Sequence, residues 1–303
     1  MNIHLIVNPN AGKKTGLAVS EQTQETLERH GARVTTGIST YPGRAVELAA
    51  AVRALPEEPS AVIAVGGDGT LFEVLNGLLR NRTDGDDVAP LPFPVGQIPV
   101  GTGNSFIKDL GIETPEDGVT AILQRKTRSV DVGTFVCGDG PFHFINLLGT
   151  GFVSNVAHRA GRYKRWGALS YIIGVLQETI ALSPGHITLT VDGTRLEREG
   201  LFIEICNSRY TGGNMLIAPD AEIDDGLFDV ILMEPVSRRK LLSLFPRIFS
   251  GTHVKDPVIE IIRAQAIRVE TDTPWLLTPD GETFGSTPID VGLLPRFLEV
   301  FSL

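Results

Sequence analysis

Cysteine is scarce in this sequence: the 303 residues include only Cys137 and Cys206. The two stand far apart and in no CxxC or Cys/His spacing, so neither a zinc site nor a disulfide framework is indicated. Positive charge is also in deficit, with 27 Lys and Arg against 36 Asp and Glu and a net charge of -9. Because nucleic-acid binding depends on cations that displace the counterions of phosphates, we expect no nucleic-acid partner.

Long apolar runs are absent as well. No run approaches the roughly 18 residues that a membrane-spanning helix needs. The first residues, MNIHLIVNPNAGKK, lack the basic start and the small-residue cleavage site of a signal peptide. We therefore expect a cytoplasmic protein whose contact with membranes is peripheral.

The composition that is present, 42% hydrophobic and 21% charged residues, is that of a globular protein, and the length predicts two domains. From Asn2 to Val132, apolar strands alternate with helical patterns, which predicts a parallel sheet covered on both faces. Beyond it, alternating strands separated by turns predict an antiparallel sandwich or barrel with helical inserts. The expected domains are 1–132 and 133–303. The predicted strands include Arg33–Ile38, Phe228–Met233 and Phe297–Phe301; the predicted helices include Arg44–Leu55, Gly167–Leu182 and Ser237–Phe249.

The most informative motif is VGGDGTL, from Val65 to Leu71, between a predicted strand and a predicted helix. Glycines let backbone amides approach a phosphate, and a helix N-terminus adds partial positive charge. The motif therefore indicates an anion site. A carboxylate beside phosphates is repelled, so Asp68 requires a metal ion or a role in proton transfer. The alternative is a tight Asp-Gly turn in which Thr70 caps the helix.

Two further glycine-containing loops follow predicted strands, NPNAGKK from Asn8 to Lys14 and PVGTGNS from Pro99 to Ser105. The first is not a Walker A loop, because Val7 stands where that motif requires glycine. Either loop alone is equally well explained as a turn. Three such loops at strand ends of one parallel sheet indicate a nucleotide site.

Two acidic stretches occur in the second half, AEIDDGLFD from Ala221 to Asp229 and TPDGE from Thr278 to Glu282. One carboxylate with backbone carbonyl oxygens suits Mg²⁺. The carboxylates across Gly281 suit proton acceptance or metal binding. The alternatives are a solvated acidic turn for the first stretch and a type I′ hairpin turn for the second.

In this order the motifs NPNAGKK, GGDGTLFEVLNGL, PVGTGNSF, DVG, YTGGNMLIAPDAEIDDGLFDV and PDGE resemble those of the diacylglycerol kinase catalytic-domain family. That family includes bacterial soluble lipid kinases, sphingosine kinases and ceramide kinases. The resemblance extends from Asn8 to Glu282. It implies an N-terminal α/β ATP-binding domain, a C-terminal β-sandwich, and Mg²⁺-dependent transfer of the γ-phosphoryl group of ATP to a lipid hydroxyl.

The resemblance also implies roles for individual residues. Residues implied to bind ATP are Asn8, Gly12, Lys13, Ser39, Thr40, Gly66, Gly67, Asp68, Gly69, Thr70, Leu71, Glu73, Gly101, Thr102 and Asn104. Residues implied to hold Mg²⁺ are Glu222 and Leu227 through carbonyl oxygens and Asp225 through its side chain. Residues implied to be catalytic are Asp280, Glu282 and Asp68, with Asp131 at a further acidic position.

Two positions depart from the family pattern: Ser105 replaces an aspartate of many bacterial members, and Phe72 replaces an asparagine. Both changes remove a polar group, and they favour a sphingoid or another long-chain alcohol as acceptor over diacylglycerol. A weak or inactive kinase is the alternative. A non-catalytic binding module and an NAD kinase, which shares the GGDGT loop, are the competing functions.

The expected partner is a lipid substrate at a membrane surface, and a homodimer is left open. Two segments are candidates for membrane contact, because basic residues beside aromatic and apolar residues suit an anionic interface. One is Arg159–Trp166 with the apolar helix that follows it; the other is Arg238–Phe245. For each, a core helix with a solvated basic start is the alternative.

Overall fold

The computed structural model describes residues 1–80, 90–101, 103–137, 140–161, 169–180 and 182–303. They form two compact units, Met1–Val130 with Arg296–Leu303 and Asp131–Pro295. The chain therefore passes between the units twice. The expected single division after residue 132 differs from this arrangement, because the last residues of the chain return to the first unit.

The first unit contains strands β1 (Asn2–Val7), β2 (Arg33–Ile38), β3 (Ala61–Gly66) and β4 (Val95–Pro99), helices α1 (Ala11–Lys14), α2 (Gly16–Arg29), α3 (Arg44–Ala50), α4 (Asp68–Leu79) and α5 (Pro115–Gln124), and 3₁₀ turns at Val52–Ala54 and Phe106–Leu110. The strands form a parallel sheet in the order β2-β1-β3-β4. Every residue of β3 is buried. Because successive side chains of a strand point to opposite faces, this sheet is covered on both sides, as the sequence predicts.

Two strands run from one unit into the other, β5 (Thr127–Cys137) and β17 (Ile289–Phe301). The sequence groups Phe297–Phe301 with the antiparallel strands, and this grouping is wrong. In the structure Val300 pairs in parallel with Val95 of β4. Alternation of apolar and polar residues identifies a strand but does not identify its partner.

The second unit contains strands β6 (Gly140–Phe144), β7 (Leu147–Gly151), β8 (Gly185–Val191), β9 (Thr194–Gly200), β10 (Phe202–Cys206), β11 (Tyr210–Thr211), β12 (Met215–Leu216), β13 (Phe228–Met233), β14 (Ile259–Ala264), β15 (Ala266–Thr271) and β16 (Leu277–Pro279), helices α6 (Phe152–Gly161), α7 (Leu169–Ile180) and α8 (Arg238–Leu244), and 3₁₀ turns at Phe245–Ser250 and Thr252–Lys255. The helices α7 and α8 correspond to the predicted inserts, of which residues 167, 168 and 181 lie outside the described residues.

The strands of the second unit form an antiparallel β-sandwich. One sheet has the order β14-β13-β10-β7-β16, and the other contains β9, β8, β15 and the first part of β17. Ile203 and Val230 of the first sheet pack in one core with Leu189 and Val269 of the second. This sandwich confirms the fold predicted for the second half.

The opposite face of the five-stranded sheet is covered by helices. A second core joins Phe202 and Met233 of that face to Leu241 and Leu244 of α8 and to Val153 of α6. Among the described residues, no helix is both long and apolar enough to cross a bilayer.

Candidate functional site

The glycine-rich motif forms the junction between β3 and α4. Only Gly67 separates the end of β3 at Gly66 from the start of α4 at Asp68. A Cβ atom on Gly66 would lie 2.3 Å from Thr70 Oγ1, so residue 66 has no room for a side chain. The first N–H groups of a helix lack partners within it, and here they stand at the carboxyl end of a parallel strand, where anions bind.

The loop after β1 lies against this junction. The Asn8 N–H group donates to the Val65 carbonyl oxygen at 3.0 Å, and Asn8 Nδ2 donates to Thr70 Oγ1 at 3.3 Å. Gly12, Lys13 and Lys14 of the short segment α1 have left-handed φ angles of 56°, 61° and 74°, so α1 is not a regular right-handed helix. Three such residues in succession are unusual, because side chains disfavour this conformation.

The loop after β4 completes the group. Val100 N–H and Gln97 Nε2 both donate to the Gly66 carbonyl oxygen, at 3.1 and 3.0 Å. A Cβ atom on Gly12 would lie 2.7 Å from Val100 Cγ1. The three glycine-containing loops therefore meet at the carboxyl edge of one sheet, with Lys13 exposed beside them.

Asp68 is held by the loop after β4. Its two carboxylate oxygens accept the Ser105 N–H at 3.0 and 2.9 Å. Burial raises the pKa of Asp68 above its usual value, and the hydrogen bonds from the Ser105 backbone and side chain offset this only in part. Ser105 thus supplies donors to Asp68, whereas the aspartate that the family pattern has at this position would bring a second carboxylate.

Some residues implied to bind ATP lie outside the loops after β1, β3 and β4. The Glu73 carboxylate accepts the N–H groups of Gly43 at 3.0 Å and Ala45 at 3.3 Å, so it fixes the start of α3. The Leu71 side chain is buried in the core. Ser39 is buried and Thr40 is exposed. Thr102 lies outside the described residues.

In the second unit, the residues after β16 form a tight turn. Asp280 and Gly281 have left-handed φ angles of 47° and 86°, and the Glu282 N–H donates to the Pro279 carbonyl oxygen at 2.9 Å. The hairpin turn considered for this stretch is therefore present. It directs Asp280 inward and leaves Glu282 exposed.

The Asp280 carboxylate is clamped by backbone N–H groups of residues 145–147. Oδ1 accepts from Asn146 at 2.9 Å and from Leu147 at 3.1 Å, and Oδ2 accepts from Ile145 at 3.1 Å. The side chain is 5% exposed. Charge-assisted bonds of this kind hold a carboxylate in one orientation and stabilise its ionised form.

Sequence reasoning missed Asn207, which supports the clamp. Its fully buried Nδ2 donates to the carbonyl oxygens of Asp131 at 3.0 Å and Ile145 at 2.7 Å. Its N–H donates to the Asn146 carbonyl oxygen at 3.0 Å. The signal available in the sequence was an amide side chain directly after Ile205 and Cys206, the last residues of a predicted strand.

The acidic loop is tied to Asp131. Asp131 Oδ2 accepts the Gly226 N–H at 2.7 Å, and the Asp131 N–H donates to the Ile223 carbonyl oxygen at 2.7 Å. The Asp225 carboxylate accepts the Leu227 N–H at 3.0 Å and forms an ion pair with Arg263. The residues implied to hold Mg²⁺ therefore lie on one ordered loop, with Arg263 as a competing cation.

The negative charge of the acidic loop favours binding of a cation in addition to Arg263. Asp229 Oδ2 is buried and has no hydrogen-bond partner among the described residues. Burial raises the pKa of Asp229; Arg263 lowers it, and the charges of Asp225, Asp220 and Glu222 raise it further. Within the described ranges, no three His, Cys, Asp or Glu side chains form a metal-binding cluster. The implied donors, one carboxylate and two carbonyl oxygens, are nevertheless the oxygen type that Mg²⁺ prefers.

An apolar pocket lies between the outer face of the five-stranded sheet and helices α6, α7 and α8. It has about 910 Å³ of empty space, including its open mouth. Its walls include Phe152, Phe202 and Met233, and Gly281 of the turn after β16 also lines it. The pocket thus adjoins the turn that carries Asp280.

The first basic segment is partly accounted for by contacts within the second unit. Arg159 Nε forms an ion pair with Glu178 Oε2 at 2.6 Å, and Asn155 Nδ2 donates to Glu178 Oε1 at 2.8 Å, so these residues join α6 to α7. Residues 162–168 of this segment lie outside the described residues.

Comparison with known proteins covers both halves of the chain. A family model described as the diacylglycerol kinase catalytic domain matches residues 2–135, and one described as the YegS C-terminal NAD kinase beta sandwich-like domain matches residues 146–302. Diacylglycerol kinase of Mycobacterium tuberculosis is 31% identical over 302 residues, covering 97% of this chain and 93% of that protein.

Further similarities agree with this result. Diacylglycerol kinase of Bacillus subtilis is 28% identical, covering 98% of this chain and 94% of that protein. Sphingosine kinase 1 of Arabidopsis thaliana is 27% identical, covering 92% of this chain and 67% of that protein. A solved structure from Bacillus anthracis, described as a diacylglycerol kinase, covers 100% of this chain and 97% of its own with 20% identity and a TM-score of 0.74, which shows a shared fold.

Proposed function

The chain belongs to the diacylglycerol kinase catalytic-domain family, and from this premise we propose that it transfers the γ-phosphoryl group of ATP to a hydroxyl group of a lipid. The observation that carries the proposal is the apolar pocket beside the Asp280 turn. It offers space for an alkyl chain beside the turn that carries Asp280, whose carboxylate has a fixed orientation. Phosphoryl transfer requires chiefly that the reacting groups be positioned and their charge neutralised.

The first unit supplies the groups that would bind ATP. Backbone N–H groups of the loops after β1, β3 and β4 bind the phosphates, and the exposed Lys13 contributes a positive charge. Gly12 packs against Val100 and Gly66 packs against Thr70 with no room for a side chain, so these glycines hold the loops, and the N–H groups they carry, close together. Asp68 orients the loop after β4 through Ser105.

The second unit supplies the groups that would bind the acceptor. The Asp280 carboxylate accepts a hydrogen bond from the attacking hydroxyl and takes up its proton as the new O–P bond forms and the bond between the γ-phosphorus and the bridging oxygen breaks, which releases ADP. The N–H groups of residues 145–147 fix this carboxylate, and Asn207 fixes those residues in turn. Glu282 is exposed and serves a secondary role. The alkyl part of the lipid occupies the pocket.

Magnesium fits this account at two places. Bound with ATP, Mg²⁺ would offset part of the charge on the phosphates, and Asp68 is the carboxylate of the phosphate loops. In the acidic loop, the carbonyl oxygens of Glu222 and Leu227 and the Asp225 side chain would hold a structural ion that stabilises the loop.

We also propose that the helices covering the pocket contact the membrane surface. Arg238 of α8 donates to the carbonyl oxygens of Thr179 at 3.0 Å and Ile180 at 2.9 Å, so α7 ends beside α8. Four apolar side chains and one cation of these helices and the following turn are exposed; we call them the apolar rim. The rim consists of Leu176, Ile180, Leu242, Phe249 and Arg239.

The experiment for the proposed function is a lipid panel. Diacylglycerol, sphingosine, ceramide, phosphatidylglycerol and undecaprenol are presented in mixed micelles with γ-labelled ATP and Mg²⁺, and Asp68→Ala provides the blank. We expect one class of lipid to become labelled by the wild type only. ATP binding without a labelled lipid would instead favour a binding module.

A further inference from the structure

One titratable side chain in the apolar pocket has no part in the steps above. Glu204, in the middle of β10, is 4% exposed. Its Oε2 atom is buried, and among the described residues it has no hydrogen-bond partner. Burial raises the pKa of Glu204 to about 8, so the carboxyl group is mainly protonated at neutral pH. A protonated carboxyl group has an O–H to donate.

Strand register places Glu204 near the turn that carries Asp280. Gly149 of β7 pairs with Glu204 of β10 on one side and with Thr278 of β16 on the other. A Cβ atom on Gly149 would lie 3.0 Å from both Glu204 Oε2 and Thr278 Oγ1. Glycine therefore leaves the two oxygen atoms facing one small space, two residues along the chain from Asp280.

The other polar groups at this place are already satisfied. Thr278 Oγ1 is 2.9 Å from Ser154 Oγ and donates to the Gly149 carbonyl oxygen at 3.3 Å. Glu204 Oε2 has no such partner, and a buried polar atom in that state destabilises the folded protein. An apolar side chain would avoid this cost. Glu204 also lines the apolar pocket, so an unpartnered carboxyl group in the wall of that pocket indicates a ligand.

We propose that the Glu204 carboxyl group hydrogen-bonds the carbonyl oxygen of an acyl ester in the acceptor lipid, which makes Glu204 a specificity-determining residue. The proposal rests on the proposed lipid kinase function for the occupant of the pocket. The acyl chain beyond the ester packs against Phe152, Phe202 and Met233. The acceptor hydroxyl, a few bonds from the ester, reaches Asp280.

An acyl ester fits this position better than an amine. Burial raises the pKa of Glu204, and no cation of the described residues lowers it again. The carboxyl group therefore enters the complex as a donor, and an ester carbonyl is solely an acceptor. An ether-linked lipid of the same length lacks the carbonyl oxygen and would offer the Glu204 O–H only the weaker acceptor of the ether oxygen, one bond away.

The test compares 1-oleoylglycerol with its ether analogue 1-O-oleylglycerol, which has the same hydroxyl groups and a closely matched chain. Equilibrium binding in mixed micelles is measured without ATP, and kcat/KM is measured with it. We expect the wild type to favour the ester by about 10- to 100-fold. Glu204→Leu should abolish this preference, and Glu204→Gln should keep it, because its amide N–H donates.

The control is Glu199→Leu, which removes an exposed glutamate of β9 in the same unit and should leave the preference unchanged. Thermal unfolding checks each variant; Glu204→Leu should melt at or above the wild-type temperature. Equal affinity of the wild type for ester and ether would overturn the proposal without reference to any variant. A preference that persists in Glu204→Leu, or tighter binding of sphingosine than of the ester, would also overturn it.

The experiments distinguish a failure of the proposed role of Glu204 from a failure of the proposed lipid kinase function. Ester-selective binding that depends on Glu204, without phosphate transfer to any lipid, would support the role of Glu204 and contradict the kinase function. Phosphate transfer without discrimination between ester and ether would support the kinase function and contradict the role of Glu204.

Discussion

At the scale of single residues, Asp280 and Glu282 are close in sequence and opposite in environment. Asp280 accepts three backbone hydrogen bonds, whereas Glu282 is exposed. Asp280→Asn places an amide donor against a backbone N–H donor. We expect this variant to lose about 1–3 kcal/mol of stability and to lower kcat by about 10²-fold or more.

Glu282→Gln is the matched control for that substitution, because it makes the same chemical change two residues away. It should leave the melting temperature unchanged and lower kcat by much less. Urea unfolding and steady-state phosphate transfer measure the two effects. Full activity in Asp280→Asn would remove Asp280 from the proton-acceptor role.

The raised pKa of Glu204 has a consequence for stability that can be measured without any ligand. The folded protein retains the proton up to pH about 8, whereas the unfolded chain releases it near 4.5. Raising the pH from 5 to 8 therefore favours the unfolded state through this group. Relative to Glu204→Gln, the wild type should lose roughly 2 kcal/mol or more over that range.

Comparison with Glu204→Gln isolates Glu204 from the other buried titratable groups. Burial lowers the pKa of His253, which also lines the pocket, to about 4, and this produces the opposite slope below pH 6.5. That slope is common to both proteins and cancels in the difference. Unfolding free energies that run parallel from pH 5 to 8 would show that Glu204 is ionised in the folded state.

At the scale of secondary-structure elements, the loop after β1 depends on glycine. Gly12 has a φ angle of 56°, and its Cβ would lie 2.7 Å from Val100 Cγ1. Gly12→Ala should displace the loop from β4 and weaken ATP binding by about 10-fold or more, since left-handed strain of about 1–2 kcal/mol adds to the clash.

Gly31→Ala is the control for Gly12→Ala. Gly31 also has a left-handed φ angle, 81°, but a Cβ there meets nothing within 4 Å. This variant should lose about 1 kcal/mol of stability through the backbone alone and bind ATP as the wild type does. Calorimetric titration measures the affinity of both variants for ATP. Equal affinities would show that the loop after β1 does not take part in ATP binding.

Prediction from sequence succeeded for elements with strong local patterns. The predicted strands Arg33–Ile38 and Phe228–Met233 agree with β2 and β13 at both ends. The predicted helix Arg44–Leu55 ends as an α-helix at Ala50 and continues as a 3₁₀ turn at Val52–Ala54; Pro56 prevents any helix from continuing beyond it.

Prediction failed where the partner is distant in the chain. The clamp on Asp280 comes from residues more than 130 positions earlier, and nothing in the TPDGE motif identifies them. Glu204 was overlooked because one glutamate in an apolar strand pattern is ordinarily a solvent-facing residue. Its burial depends on helices supplied by other parts of the chain.

At the scale of the whole molecule, membrane contact must overcome a net charge of -9. The apolar rim offers a local route, with Ile180 75% exposed and Phe249 50% exposed. Replacing Leu242 and Phe249 together by Ser should reduce sedimentation with phosphatidylglycerol vesicles by about 10-fold, at roughly 0.8 kcal/mol per buried CH₂. Leu17→Ser, at an exposed leucine of α2, should have no effect. Equal sedimentation of all variants would exclude the rim.

The lipid kinase function is tested most directly by counting both products of one reaction. ADP and phosphorylated lipid are quantified together after incubation with ATP, Mg²⁺ and the acceptor chosen from the panel, with Asp68→Ala as the blank. We expect one phosphorylated lipid for each ADP, and neither product in the blank. ADP without phosphorylated lipid, or neither product from the wild type with any lipid of the panel, would contradict the lipid kinase function.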